Sequence, residues 1–142
     1  MFSDAPFLIG GDWNVAPNPA DVFDVREMEG QVLFHPEERK RFRRLLALGL
    51  TDAFRALNPE EEQFSWWDYR AGGWSRNRGL RIDHILLSPA VADRLCGSGI
   101  DKTPRGWDKP SDHTPVWCRI AALAQKAQCC LEIHGERNLA PP

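Results

Sequence analysis

The spacing of apolar and polar positions predicts a chain in which strands and helices are interleaved. Four short runs rich in apolar or aromatic residues are typical of strands and cover residues 6–11, 64–69, 80–87 and 116–120. An apolar stripe at helical spacing over residues 42–48 predicts a helix that begins near Pro36 and ends before Gly49. A shorter helix is expected over residues 89–95. This order predicts a layered α/β or α+β sandwich.

Two of the connections between these elements are predicted to be long loops. Residues 12–31 and residues 71–79 contain glycines and charged or polar side chains without a clear period. Loops of this length in a compact domain are usually functional or disordered. Their polar side chains are therefore candidates for a functional site.

The two ends of the chain bear on its domain organisation. The first apolar strand, residues 6–11, stands almost at the start of the chain, although a buried strand needs neighbours. We therefore expect residues 1–120 to form only part of a domain. The composition changes at Ala121, so residues 121–142 are expected to be an extension that is helical at first and then frayed.

Composition narrows the class of protein. The chain has 142 residues, no N-terminal segment of the signal-peptide type and no apolar run long enough to span a bilayer. Its four cysteines include no C-x-x-C pair. These features predict a cytoplasmic protein without membrane contact. The net charge of −2 does not indicate a nucleic-acid-binding protein, but a local basic surface is enough to hold a few phosphates.

Three short polar segments stand at predicted strand ends, where loops present functional residues. They are residues 11–14 (Gly-Asp-Trp-Asn), 81–84 (Arg-Ile-Asp-His) and 111–113 (Ser-Asp-His). A single aspartate at a strand end is more often a turn residue or a helix cap. The occurrence of all three segments in one chain, in this order, is much more specific for a function.

These segments resemble the successive motifs of the exonuclease III and AP-endonuclease branch of the endonuclease/exonuclease/phosphatase superfamily. The matching stretches are residues 10–17, 35–39, 48–55, 64–70, 79–86 and 109–115. The resemblance covers residues 6–120. It implies an α+β fold, the C-terminal half of a DNase I-like four-layer α/β/β/α sandwich in which two β-sheets pack face to face between helices.

The resemblance also implies an activity. Members of this branch cleave DNA on the 5′ side of abasic sites and act as 3′→5′ exonucleases or 3′-phosphatases, with Mg²⁺ or Mn²⁺ as cofactor. The implied partner is double-stranded DNA with abasic sites or 3′ ends, and no obligate protein partner is inferred. Because the active site of the family draws on both halves of a longer chain, we expect this chain to be truncated and inactive by itself.

The roles of the site residues follow from the same resemblance. Asp12 is expected to orient or deprotonate the attacking water, and Asn14 to donate an amide hydrogen bond to a phosphate oxygen. His113 is expected to contact the scissile phosphate, with its ring oriented by Asp83. The expected metal ligands are Asp12, Asn14, His113 and Asp112, a hard carboxylate that suits Mg²⁺.

Four residues are predicted to contact DNA: Trp74, Asn77, Arg78 and Arg81. The three polar ones lie on or beside the loop before Asp83, where they are equally well explained as solvated loop residues. Trp74 could stack on DNA, whereas core packing is favoured for Trp67.

Two rival functions stay open. The chain could derive from another branch of the superfamily, such as the phosphoinositide or sphingomyelin phosphodiesterases, although residues 66–70 (Trp-Trp-Asp-Tyr-Arg) favour the DNA-repair branch. It could also be a non-catalytic DNA-binding fragment. The polar residues of the three strand-end segments argue against that function, because a pure binding module has no need of them.

Overall fold

A computed structural model describes residues 5–123, and all structural statements below refer to this part of the chain. Its strands are β1 (Leu8–Asp12), β2 (Thr51–Asp52), β3 (Trp66–Trp67), β4 (Gly79–Leu80), β5 (Asp83–Leu87), β6 (Leu95–Ile100) and β7 (Val116–Ile120). Its α-helices are α1 (Val25–Met28), α2 (Pro36–Ala47), α3 (Ala53–Leu57) and α4 (Pro89–Ala92). Single 3-10 turns cover Pro19–Asp21, Arg70–Gly72 and Thr103–Gly106. None of the described helices is long and apolar enough to cross a bilayer.

Strand β5 is the centre of the largest sheet. It pairs antiparallel with β1 on one side and with β2 on the other, while β3–β4 and β6–β7 form two-stranded antiparallel sheets. The register of β1 against β5 places Leu8 opposite Leu87 and Asp12 opposite Asp83. Because directly opposed residues project from the same face of a sheet, the two aspartates stand side by side at one end of it.

The two faces of β5 build separate parts of the hydrophobic core. Leu86 packs with Phe42 of helix α2 and with Leu50. Leu87, on the other face, packs with Ala53 of α3 and Val91 of α4. Since side chains alternate along a strand, this double burial fixes the rotation of β5 and the direction in which Asp83 points.

Helix α2 begins and ends as its sequence predicts. The backbone amide of Glu37 donates to Nδ1 of His35, and Glu38 accepts a hydrogen bond from the backbone amide of His35, so both ends of a capping box are made. Gly49, just past the helix, has a φ of 105°, which an L residue with a side chain rarely adopts. The helix thus presents Phe42 to the sheet in a fixed position.

The predicted strand over residues 80–87 is broken in the structure. Strand β4 ends at Leu80, and each of the next two residues makes a backbone hydrogen bond to a loop residue. The amide of Arg81 donates to the carbonyl of Asp21, and the carbonyl of Ile82 accepts from the amide of Trp13. Both loop segments come from the predicted long loop over residues 12–31, which contains a 3-10 turn and helix α1. These two hydrogen bonds therefore hold that loop against the segment that leads into β5.

Two further predictions differ from the structure. Strand β1 was expected to be buried, but Leu8 is 51% and Ile9 44% exposed, because only one of its edges pairs with a described strand. Strand β6 was not predicted from the sequence, because Gly97 and Gly99 interrupt its apolar pattern. A side chain at Gly99 would come within 2.7 Å of the Trp117 ring, so the glycine is needed for the ring to lie across the strand. The predicted extension lies almost entirely outside the described residues.

A cluster of buried charges holds the loop after β1 against the sheet. The guanidinium of Arg81 is fully buried and donates to Asp21 at 2.6 Å and to Asp52 at 2.7 and 3.1 Å. Arg55 also pairs with Asp21. The charge and hydrogen bonds of Arg81 offset the burial of Asp52 and hold the pKa of that carboxyl below its usual value. The cluster joins segments that are far apart in the sequence.

Burial, followed by the charge of Arg81, lowers the pKa of His84, so this imidazole stays neutral in the folded protein. An unfolded histidine takes up a proton below about pH 6.5, so folding stability should be complete above that pH and fall as the pH drops from it towards the lowered pKa of the folded state. Urea unfolding at about pH 7.5 and about pH 5 should show this loss. The variant His84→Gln should lose much of the dependence, whereas His35→Gln, at an exposed position, should retain it. Equal slopes in both variants would contradict the assignment.

Candidate active site

The site lies at the end of the β1–β5 pair where Asp12 and Asp83 are opposed. His113 joins them from the segment that precedes β7. Its Nδ1 atom is 2.9 and 3.1 Å from the two carboxylate oxygens of Asp83, and its Nε2 atom is 3.8 Å from Oδ2 of Asp12. The imidazole therefore stands between two carboxylates, bonded to one and facing the other.

The backbone fixes the approach of His113. An isolated antiparallel bridge pairs Trp66 with His113, and the amide of Trp67 donates to the carbonyl of Asp112 at 3.0 Å. The hydroxyl oxygen of Ser111 accepts a hydrogen bond from the backbone amide of His113. These contacts hold the Ser-Asp-His segment against β3 although it belongs to no regular element.

Asn14 and Asp112 flank this centre. The amide of Asn14 donates to Oδ1 of Asp12 at 2.8 Å, which forms an Asx turn, and its φ of 51° is one that asparagine tolerates better than most residues. The carboxylate of Asp112 accepts a hydrogen bond from the Trp66 indole at 3.0 Å. Asn14 is thus placed beside Asp12, and Asp112 is anchored one residue before His113.

Ser65 is a member of the site that the sequence reasoning missed. Its hydroxyl lies 2.7 Å from Oδ2 of Asp83 and 3.1 Å from the backbone amides of both Ile82 and Asp83. The residue is completely buried. A small polar residue inside the aromatic run over residues 64–69 was the one signal that could have revealed it.

The predicted DNA contacts differ in how they are placed. Trp74 is 36% exposed and packs edge to face on Trp67, the fully buried ring expected in the core. Asn77 is exposed, and its side-chain oxygen accepts the Trp67 indole hydrogen. Arg78 pairs with Glu27 at the surface. These three residues stay predictions for DNA binding.

Arg81 does not belong to that set. Its side chain has no exposed surface and its guanidinium is held by Asp21 and Asp52. A DNA phosphate could reach it only if both ion pairs were broken and the cluster opened. The prediction of Arg81 as a DNA contact is therefore wrong, and its role is to hold the fold together.

A groove of about 860 Å³ opens beside the site, between helix α1 and the segment around Trp66. Its lining is apolar at Met28, Leu33 and Trp66. Its two arginines each pair with a carboxylate that also lines the groove, Arg70 with Asp68 and Arg78 with Glu27. Trp66 lines the groove and is bridged to the backbone of His113, so the groove adjoins the candidate site. The lining thus combines apolar surface with two acidic and two basic side chains.

The described residues do not by themselves complete a site for a divalent cation. Within residues 5–123, no group of three or more His, Cys, Asp or Glu side chains is placed to hold a metal ion. One carboxylate oxygen of Asp12 and one of Asp112 already accept a hydrogen bond from within the chain. Of the predicted ligands, Asp12, Asn14 and Asp112 offer hard oxygen donors and His113 offers a nitrogen, and together they do not make a full Mg²⁺ shell.

Comparison with known proteins supports a single family. A sequence model of the Endonuclease/Exonuclease/phosphatase family matches residues 2–113. Exodeoxyribonuclease III of Haemophilus influenzae is 46% identical over 122 residues, which cover 81% of this chain and 46% of that protein. A DNA repair nuclease of Danio rerio is 38% identical, over 82% of this chain and 36% of the relative.

Solved structures agree with the sequence matches. A 3′ phosphatase from Neisseria bound to a product DNA hairpin superposes with a TM-score of 0.80 and 39% identity, over 82% of this chain and 46% of that one. An AP endonuclease from Archaeoglobus fulgidus gives a TM-score of 0.76 and 35% identity, over 81% of this chain and 45% of that one. The expected DNase I-like α+β fold is thus confirmed, and the chain spans about half the length of most of these relatives. This chain belongs to the endonuclease/exonuclease/phosphatase family.

Proposed function

We propose that this chain carries one part of the active site of a DNA-repair phosphodiesterase of the exodeoxyribonuclease III type, which hydrolyses DNA at abasic sites and 3′ ends. The observation that carries the proposal is the placement of His113 between Asp83, at 2.9 Å, and Asp12, at 3.8 Å. The names of the relatives, which include an exodeoxyribonuclease III and an AP endonuclease, support DNA as the substrate.

The three side chains divide the work of hydrolysis. Asp83 accepts a hydrogen bond from Nδ1–H of His113 and so orients the ring, as the aspartate of a Ser-His-Asp triad does for its histidine. The Nε2 atom faces the Asp12 side, where a phosphate oxygen and a water can both be reached. Asp12 then positions or deprotonates the water, while His113 donates to the phosphate and stabilises its developing charge.

The cofactor is proposed to be Mg²⁺ or Mn²⁺, which when bound supplies positive charge at a phosphate. Asp12 and Asp112 are the carboxylates of this chain that would hold it, with the carbonyl oxygen of Asn14 as a further hard donor. The donors of residues 5–123 are too few for a full metal shell. We therefore propose that the chain has no nuclease activity by itself and needs ligands beyond those of residues 5–123.

DNA is proposed to lie across the groove beside Trp66. Arg70 and Arg78 line it and are proposed to exchange their carboxylate partners, Asp68 and Glu27, for phosphates. Trp74 and Asn77 stand on the neighbouring loop, where an exposed ring edge and an amide could contact the strand. These contacts position DNA without reading its sequence.

The purified chain is expected to leave a duplex with one abasic site uncut in Mg²⁺ or Mn²⁺. Its product level should equal that of the His113→Ala variant, because the metal shell is incomplete. Gel analysis of an end-labelled duplex measures this directly. Cleavage that requires the metal and is lost in His113→Ala would contradict the inactivity of the chain while supporting its chemistry.

A chimera tests the proposed substrate. Residues 6–120 of this chain replace the matching segment of the Haemophilus influenzae exodeoxyribonuclease III, and circular dichroism confirms that the product is folded. The chimera should cleave abasic DNA and should not hydrolyse phosphoinositides or sphingomyelin. A folded chimera that cleaves only lipid head groups would support the rival phosphodiesterase branch. One that binds abasic DNA without cleaving it would support a non-catalytic DNA-binding module.

A further inference from the structure

Ser65 uses every hydrogen-bonding position of its hydroxyl. The oxygen accepts the backbone N–H groups of Ile82 and Asp83, both at 3.1 Å, and these two bonds occupy its two lone pairs. The single hydroxyl proton has one remaining acceptor, Oδ2 of Asp83, at 2.7 Å. Because the residue is completely buried, water does not compete for any of these bonds. The direction of the O–H bond is therefore fixed.

The backbone of Ser65 ties together the two segments that carry Asp83 and His113. Its amide donates to the carbonyl of Leu80 at 2.9 Å, three residues before Asp83. Its carbonyl accepts the amide of Thr114 at 2.8 Å, one residue after His113. Ser65 is thus bonded to both sides of the Asp83–His113 contact.

We propose that Ser65 is a positioning residue which, through Asp83, sets the ring orientation and the tautomer of His113. The serine proton on Oδ2 keeps the Asp83 carboxylate in one rotamer and in its role as acceptor. The atom of His113 that faces this acceptor, Nδ1, must then carry the ring proton. The lone pair of the neutral ring is left on Nε2, on the side of Asp12.

This assignment deepens the proposed function, because with Nδ1–H held by Asp83 any proton that the ring takes up is carried on Nε2, the atom from which His113 is proposed to donate to the phosphate. The test does not depend on catalysis, however. It measures where the imidazole proton lies. The tautomer can therefore prove different while the nuclease assignment holds, and the nuclease assignment can fail while the tautomer is as proposed. A neutral histidine in water prefers the proton on Nε2, so the proposal departs from the default.

Nitrogen-15 NMR of the imidazole in the 142-residue chain gives the readout, with the His113 signals assigned by their loss in His113→Gln. The wild-type ring should show a protonated Nδ1 and a bare Nε2 when neutral. Ser65→Ala should lower the Nδ1–H population by roughly half or more, since the freed carboxylate can rotate. Ser65→Thr, which keeps the hydroxyl, should restore it. The matched control Ser98→Ala removes a hydroxyl that donates to the carbonyl of Trp117 and should leave His113 unchanged.

Two results would overturn the proposal. One is a wild-type ring with its proton on Nε2, and the other is an unchanged Nδ1–H population in a folded Ser65→Ala variant. Amide spectra report whether each variant is folded. If Ser65→Ala does not fold, Ser65→Cys, which replaces the hydroxyl by a weak S–H donor, takes its place with the same expected loss of Nδ1–H. An unchanged ring in that variant would equally overturn it.

Discussion

Replacing His113 by Ala in the chimera is expected to lower the rate of abasic-site cleavage about 10²–10⁴-fold. The imidazole stands between the two opposed carboxylates, and Asp83 holds it at 2.9 Å. Removing it takes away the group that is proposed to donate to the phosphate. Because the ring acts mainly in the transition state, KM for the duplex should change little. Single-turnover cleavage of an end-labelled abasic duplex measures the loss.

His84→Ala is the matched control for this experiment. His84 follows Asp83 in the sequence but points to the opposite face of β5, where its Nε2 atom contacts the carbonyl of Val15 at 2.7 Å. Its loss should reduce stability and leave the cleavage rate of the folded enzyme within a few-fold of the parent. Equal losses of rate in the two variants would mean that the assigned ring has no special place in the reaction.

The second large effect is expected from Arg81→Met, which should lower the free energy of unfolding by about 3–5 kcal/mol. The replacement leaves Asp21 and Asp52 buried without their main cation, and uncompensated buried charge is costly. Such a loss is a large share of the roughly 5–15 kcal/mol that stabilises a typical domain. Urea unfolding followed by circular dichroism at neutral pH gives the value.

Arg78→Met provides the comparison within the same segment. Arg78 also pairs with a carboxylate, that of Glu27, but the pair lies at the surface and water screens it. Its unfolding midpoint should stay near that of the parent chain. If Arg81→Met unfolded at the same midpoint as Arg78→Met, the buried cluster would not hold the loop against the sheet.

Short-range signals in the sequence were enough to predict the three residues at the centre of the site. Asp12, Asp83 and His113 each stand in a short motif at the end of a strand or beside one, and the structure brings the three together. The start and the end of helix α2 were equally local, since Pro36 and Gly49 mark them. In each case the information lies within a few residues of the feature it predicts.

Long-range partners explain what the sequence did not reveal. Arg81 resembles a surface cation until Asp21 and Asp52, which are 60 and 29 residues away in the chain, are seen to bury it. The role of Ser65 likewise depends on Asp83, 18 residues away. Strand β6 forms because β7 pairs with it, not because its own glycine-rich sequence favours a strand. These features depend on tertiary contacts that no local pattern encodes.

The most direct measurement is a double-mutant cycle between Asp83→Asn and His113→Ala in the chimera, read as single-turnover cleavage of abasic DNA. If Asp83 acts by orienting the imidazole, it has nothing to orient once the ring is gone, and the double variant should be about as slow as His113→Ala alone. Rate losses that multiply would show that the two residues act independently, and would contradict the arrangement on which the proposed reaction depends.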